Sequence, residues 1–133
     1  MIISIETSIS NLSLTLSNKQ NIINHVSVSF KNELSEIIIP TIKMFLKDNS
    51  ISFSDVSCLA VGCGPGSFTG IRSIISSALG ITISNNHIKS IGINSLAGLA
   101  MSSLHEAKSL KLKYIISSID SKKDDLFLQL FKI

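Results

Sequence analysis

VGCGPGSFTGIR, Val61 to Arg72, holds four of the chain's seven glycines, one of its two prolines and its only arginine. An apolar run, Val56 to Gly62, leads into it and a helical pattern, Phe68 to Ser84, leads out. The stretch therefore reads as a tight strand-to-helix turn. Backbone N–H groups at such a helix start attract anions. Yet no lysine closes the loop, as a Walker loop requires. Gly62, Gly64 and Gly66 alternate, whereas a dinucleotide fingerprint needs a further glycine at Ser67 or Thr69. Pro65 removes one N–H from any cradle, and Ser67 stands in no G-x-S-x-G elbow. Two readings remain open: a rigid turn that brings strand and helix together, or a cradle for an anion.

The helix that follows carries the stronger signal. At 100° per residue, Gly70, Ser73, Ser77, Gly80 and Ser84 fall in one narrow stripe. Phe68, Ile71, Ile74, Ile75, Ala78 and Leu79 fill the broad opposite side, and Arg72 is the only charge. A helix with no charged face is covered on both sides. The small stripe is covered either by helices of this chain or by a helix of a partner. Arg72 either pairs with such a partner or lies over Phe68.

Upstream, MIISIE and LSLTLS read as the two strands of a hairpin around TSISN, with Ile23 to Phe30 as a third strand. Glu33 to Asp48 reads as a helix with Leu34, Ile38, Ile42 and Phe45 on its apolar face, Asn32 as cap and Pro40 as a kink. Downstream come a strand at Ile88 to Ile93, a helix from Ser95 to about Ala107, and two strands, YIISSID and DDLFLQLF. Three opening strands followed by helices alternating with buried strands predict an α/β fold with a mixed sheet.

The chain also echoes itself. Glu6 is followed at plus six, eight and ten by Leu12, Leu14 and Leu16, and Asp120 at the same offsets by Leu126, Leu128 and Leu130. The echo predicts a duplicated lobe: residues 1–107 a complete first lobe, and residues 108–133 the first two strands of a truncated second.

The totals fit a modest globular chain. It has 133 residues, 44% of them hydrophobic, and a formal charge of +3 with eleven of the twelve cations lysine. That balance points only weakly to an anionic partner. Lys108, Lys111, Lys113, Lys122 and Lys123 could touch RNA or form a solvated face. Cys58 and Cys63 are too few for a disulfide framework and suit a reduced cytosol. His25, His87 and His105 are scattered, without metal-ligand spacing. No secretory signal or membrane span is read from the sequence.

GPGSFTGIR, preceded by Gly62 and Cys63, resembles the glycine-loop signature of the bacterial TsaB (YeaZ) proteins, in the glycoprotease-like branch of the acetate kinase, Hsp70 and actin-like fold. "IETS" (Ile5 to Ser8) resembles the family's opening I-D-T-S, "SEIIIP" (Ser35 to Pro40) its helix motif ending L-L-P, and Ile119 to Phe131 its I-D-A-R-x-G-E-V-Y strand pair. The resemblance implies an actin-like/RNase H-like ATPase fold with a mixed five-stranded sheet and flanking helices. It implies a cytoplasmic, non-catalytic subunit of the tRNA threonylcarbamoyladenosine machinery, with no catalytic residue, cofactor or metal of its own. The implied partners are the catalytic paralogue TsaD and, through it, the ATPase TsaE, with a homodimer as a further possibility, tRNA met only indirectly and no membrane. Carried onto this chain, the interface is Ser35, Ile38, Thr41, Ile42 and Phe45 of the first helix with Gly70, Arg72, Ser73, Ser77, Gly80 and Ser84 of the second. The glycine loop is Gly62, Gly64, Pro65, Gly66, Ser67, Phe68, Thr69 and Gly70.

Several positions depart from the family. Leu34 stands where relatives often have His. Lys122 and Lys123 stand for its arginines and Asp124 for its glycine. Glu6 and Asp120 could serve a metal–nucleotide cleft, or cap strand ends. The alternatives to a scaffold are a nucleotide-binding or ATP-hydrolysing protein of the sugar-kinase-like class and a peptidase of the glycoprotease-like kind.

Overall fold

The computed structural model describes residues 1–7, 11–19, 21–30 and 34–133. Five segments, β1 (Ile2–Glu6), β2 (Asn11–Asn18), β3 (Asn21–Ser29), β4 (Cys58–Gly62) and β5 (Lys89–Ile93), form one sheet in the order β3-β2-β1-β4-β5. The first three strands are antiparallel, and β1, β4 and β5 run parallel, so the sheet is mixed, as expected. Register places Ile3 beside Leu16 and Leu59, and Ile5 beside Leu14 and Val61. The alternation in β1 and β2 thus sends every Ile and Leu of that set to one face and their serines to the other.

Two helices cover the apolar face. α1 (Leu34–Asp48) brings Leu34, Ile38, Ile42 and Phe45, and α2 (Phe68–Ser84) brings Ile74, Ala78 and Ile81. Each fully buried Ile or Leu contributes about 1.5–3 kcal/mol, so this single layer of contacts dominates the stability of the sheet. α1 runs unbroken through Pro40, whose ring is exposed. The missing N–H there removes only the bond to Glu36, four residues back. The Asn32 cap, Glu33, and Ser8, Ile9 and Ser10 of the first turn lie outside the described residues.

The helix expected from Ser95 to Ala107 is two: α3 (Ser95–Ser102) and α4 (Leu104–Ser109). At the break, Ser102 Oγ donates to the Leu99 carbonyl at 2.7 Å and the Ser103 N–H to that of Ala100 at 3.2 Å. Serine competing for nearby carbonyls tightens the turn and ends α3. β3 starts earlier than expected and β4 later, at Cys58, because Phe53–Asp55 form a short 3-10 turn before it.

β6 (Tyr114–Asp120) and β7 (Leu126–Lys132) make a separate antiparallel hairpin against α3. Its turn uses side chains in place of glycine. Lys122 and Asp124 adopt positive φ of 60° and 63°, Asp120 Oδ1 accepts from Lys122 N at 2.7 Å, and Ser121 Oγ accepts from Lys123 N at 3.1 Å. The sequence echo therefore corresponds to two hairpins with opposite environments. Leu12, Leu14 and Leu16 are at most 1% exposed, while Leu126, Leu128 and Leu130 are 61–62% exposed.

Candidate functional site

β4 ends at Gly62 against the carboxylate of Glu6, the last residue of β1. A Cβ on Gly62 would collide with that carboxylate, so the glycine leaves the space in which the Glu6 side chain lies. Glu6 Oε1 accepts from Thr7 N at 2.8 Å, and Oε2 accepts from the hydroxyl of Ser95, the first residue of α3, at 3.0 Å. The loop then crosses back. Cys63 N donates to the Ile93 carbonyl and Ser95 N to the Gly64 carbonyl, both at 2.8 Å. Gly64 has φ of +87°, which glycine alone adopts without penalty, and a cis bond joins it to Pro65. Ser67 caps α2, its Oγ accepting from Gly70 N at 3.3 Å. Gly70 is buried against Thr7: a Cβ there would meet Thr7 Oγ1 at 3.0 Å. That hydroxyl is fully buried and has no hydrogen-bond partner among the described residues. The glycines thus tie the end of β1, the end of β4, and the starts of α2 and α3 into one knot.

Beside the knot, Gly66, Ser67, Phe68 and Thr69 face Asp120, Ser121, Lys122 and Lys123 across a groove of about 420 Å³. Asp120 lines it, but its carboxylate is spent on its own turn, accepting from Lys122 N and pairing with Lys122 Nζ at 3.1 Å. The backbone donor, then the lysine side chain, holds Asp120 below the usual carboxylate range. Glu6 does not line this groove. Among the described residues no three His, Cys, Asp or Glu side chains converge to hold a metal ion. His25 bonds Thr15 on the sheet edge and His87 bonds the Phe53 carbonyl.

A second groove, about 400 Å³, lies where α1 meets α2, lined by Ser35, Phe68, Thr69, Arg72, Ser73, Ser76 and Ser77. The expected docking stripe is divided by it. Gly70 is inside, Ser73 and Ser77 are half-buried beside α1, and Gly80 and Ser84 are exposed, with open space around Gly80. Of the α1 residues assigned to the interface, Ile38, Thr41, Ile42 and Phe45 lie on its inner, buried side in this chain's own core, and Ser35 is exposed.

Sequence reasoning missed the apolar residues that do face out. Phe68 is 73% and Ile83 78% exposed, and Leu79 is exposed between them. The available signal was Arg72: the face of a helix that carries its only charge also carries positions 76, 79, 80 and 83. Arg72 stacks its guanidinium over the Phe68 ring, 5.0 Å from the centroid.

The fold agrees with that of solved structures, and the sequence has relatives along most of its length. "YeaZ from Pseudomonas aeruginosa" superposes with a TM-score of 0.80 over 99% of this chain and 60% of its own, at 20% identity. This places the chain in the actin-like/RNase H-like ATPase fold class. The family model described as "TsaD: tRNA N6-adenosine threonylcarbamoyltransferase" matches residues 22–132. The tRNA threonylcarbamoyladenosine biosynthesis protein TsaB of Buchnera aphidicola subsp. Schizaphis graminum is 33% identical over 92% of this chain and 56% of its own length. TsaB of Escherichia coli K12 is 26% identical over 95% and 52%. The chain belongs to the TsaB (YeaZ) family, and it spans about half the length of the curated relatives it matches. No helix among the described residues is long and apolar enough to cross a membrane.

Proposed function

We propose that this chain is a non-catalytic scaffold subunit of the cytoplasmic machinery that makes N6-threonylcarbamoyladenosine in tRNA. It docks a TsaD-type catalytic paralogue through the outer face of α2. A TsaE-type ATPase joins through that complex, and tRNA is met only indirectly. The observation that carries the reading is that face itself: Phe68, Leu79 and Ile83 stand in solvent, Gly80 leaves room for close approach, and Arg72 supplies one oriented charge. An apolar surface of this kind on a helix marks an interface, and aromatic and arginine side chains are its usual anchors. The acids support the non-catalytic part. Glu6 serves the glycine knot and Asp120 serves its own turn, so each already has a structural task.

The test is co-purification of the chain with a TsaD-type protein from the same cell. The native chain is expected to form the complex, and Gly80→Leu to lose it while remaining folded. Equal recovery of both would remove the proposed surface.

A second reading has one observation in its favour. The groove between the start of α2 and the Lys122–Lys123 turn is large enough for a phosphate group and lined by donors. Calorimetric titration with ATP decides it: the scaffold reading expects no saturable heat, and the nucleotide-binding reading expects binding that Lys122→Ala weakens.

A further inference from the structure

Arg72 is the chain's only arginine and the only charged residue of α2. Its guanidinium lies over the Phe68 ring, 5.0 Å from the centroid. Stacking of this kind fixes the guanidinium plane and leaves its N–H edges pointing outward. Among the described residues no carboxylate pairs with it, and the ion pair they hold is Lys122–Asp120. Glu36, the acid in the first turn of α1, is exposed and does not line the groove between α1 and α2 that Arg72 borders. Apart from Arg72 and Phe68, hydroxyls wall that groove: Ser35 from α1, and Thr69, Ser73, Ser76 and Ser77 from α2. Further along α2 the hydroxyls serve their own turns. Thr82 Oγ1 donates to the Leu79 carbonyl and Ser84 Oγ to that of Gly80, both at 2.9 Å. The hydroxyls of the groove make no such bond among the described residues.

We propose that this groove receives a carboxylate side chain of the TsaD-type partner, with Arg72 as its bidentate anchor. The inference rests on the docking reading given above and names the partner's chemistry at one point of that surface. A partner that covers Phe68, Leu79 and Ile83 also takes Arg72 out of water, because Arg72 lies on Phe68. A guanidinium desolvated without a counter-charge weakens a complex strongly. No acid of the groove supplies one, so the anion arrives with the partner. A carboxylate matches the fork through two parallel N–H···O bonds. It has about four lone-pair positions, so two remain after the fork is made. Thr69 and Ser76 stand three residues before and four after Arg72, on the same face of the helix, and can donate to those. An RNA phosphate fits less well. Nucleic-acid backbones are gripped by several cations, and among the described residues Arg72 is the only cation lining this groove.

The affinity of the TsaD-type protein from the same cell for the full chain tests this, with unfolding temperatures recorded in parallel. Arg72→Gln is expected to weaken the complex at least about tenfold at an unchanged unfolding temperature. Arg72→Lys keeps the charge and loses the fork, and is expected to recover only part of that loss. The native complex is expected to weaken more steeply than the Arg72→Gln complex as salt rises from about 50 mM to about 500 mM, because only the native complex holds the ion pair that salt screens. Ile83→Lys separates the two claims. If Ile83→Lys weakens the complex and Arg72→Gln does not, the docking face stands and the carboxylate anchor is overturned. If the native chain binds no TsaD-type protein, both fall. Parallel salt dependence of the native and Arg72→Gln complexes also overturns the anchor. So does binding of tRNA to the chain alone that Arg72→Gln abolishes, which would assign the groove to a phosphate.

Discussion

Ser95 donates its hydroxyl to Glu6 Oε2 across 3.0 Å, joining residues 89 apart in the chain. The same carboxylate lies against the bare Cα of Gly62. One acid therefore joins the ends of β1 and β4 to the start of α3. Replacing Ser95 with Ala takes one donor from a half-buried carboxylate. Chemical denaturation is expected to show a loss of about 1.5 kcal/mol.

Gly62→Ala drives a methyl group into that carboxylate, which the Thr7 N–H and the Ser95 hydroxyl hold in place. The expected cost is about 1–3 kcal/mol. Glu6→Ala removes the obstacle, so the two changes together are expected to cost less than their sum. Strict additivity in the double-mutant cycle would show that Glu6 and Gly62 do not share the contact.

Burial divides α1 from the exposed edge of α2. Ile42 is fully buried between α1 and the sheet, and Ile83 stands in solvent. Ile42→Ala is expected to destabilise by about 3 kcal/mol, and Ile83→Ala by no more than about 0.5 kcal/mol. Thermal and urea unfolding of the two variants checks both values against one baseline.

Asp120 has its carboxyl held below the usual range, first by the N–H of Lys122 and then by that residue's side chain. A depressed folded value means the group stabilises the hairpin turn above the ordinary carboxylate range. That contribution fades as the pH falls through the folded value. Carboxyl-carbon NMR titration is expected to show Asp120 titrating below a free aspartate. Lys122→Gln is expected to move it only part of the way back, since the larger cause, the backbone N–H, remains. A full return would assign the shift to the ammonium alone.

Much of this arrangement was legible in the sequence. The bounds of α2 follow from the helical pattern of Phe68 to Ser84, and β1, β2 and β6 lie where the segments MIISIE, LSLTLS and YIISSID read as strands. What escaped was which way surfaces face. The wheel put Phe68 and Leu79 on the broad apolar side of a helix expected to be covered all round, but the buried arc of α2 holds Gly70, Ile74, Ala78 and Ile81. The position of α1 is a tertiary fact that the periodicity of α2 does not contain. The leucines of β2 and β7 have the same spacing, and only the presence of α1 over one of them separates core from surface. The Lys122–Asp124 turn was unreadable for another reason: its left-handed residues are stabilised by Asp120 and Ser121 side chains, where a glycine would have announced them.

The central claim, that α2 offers its outer face to a TsaD-type partner, is tested most directly by the affinity of that partner for the native chain and for Ile83→Lys, with unfolding temperatures recorded in parallel. The expected result is saturable binding by the native chain, weakened at least about tenfold in the variant, at an unchanged unfolding temperature. Equal affinity for both chains would contradict it.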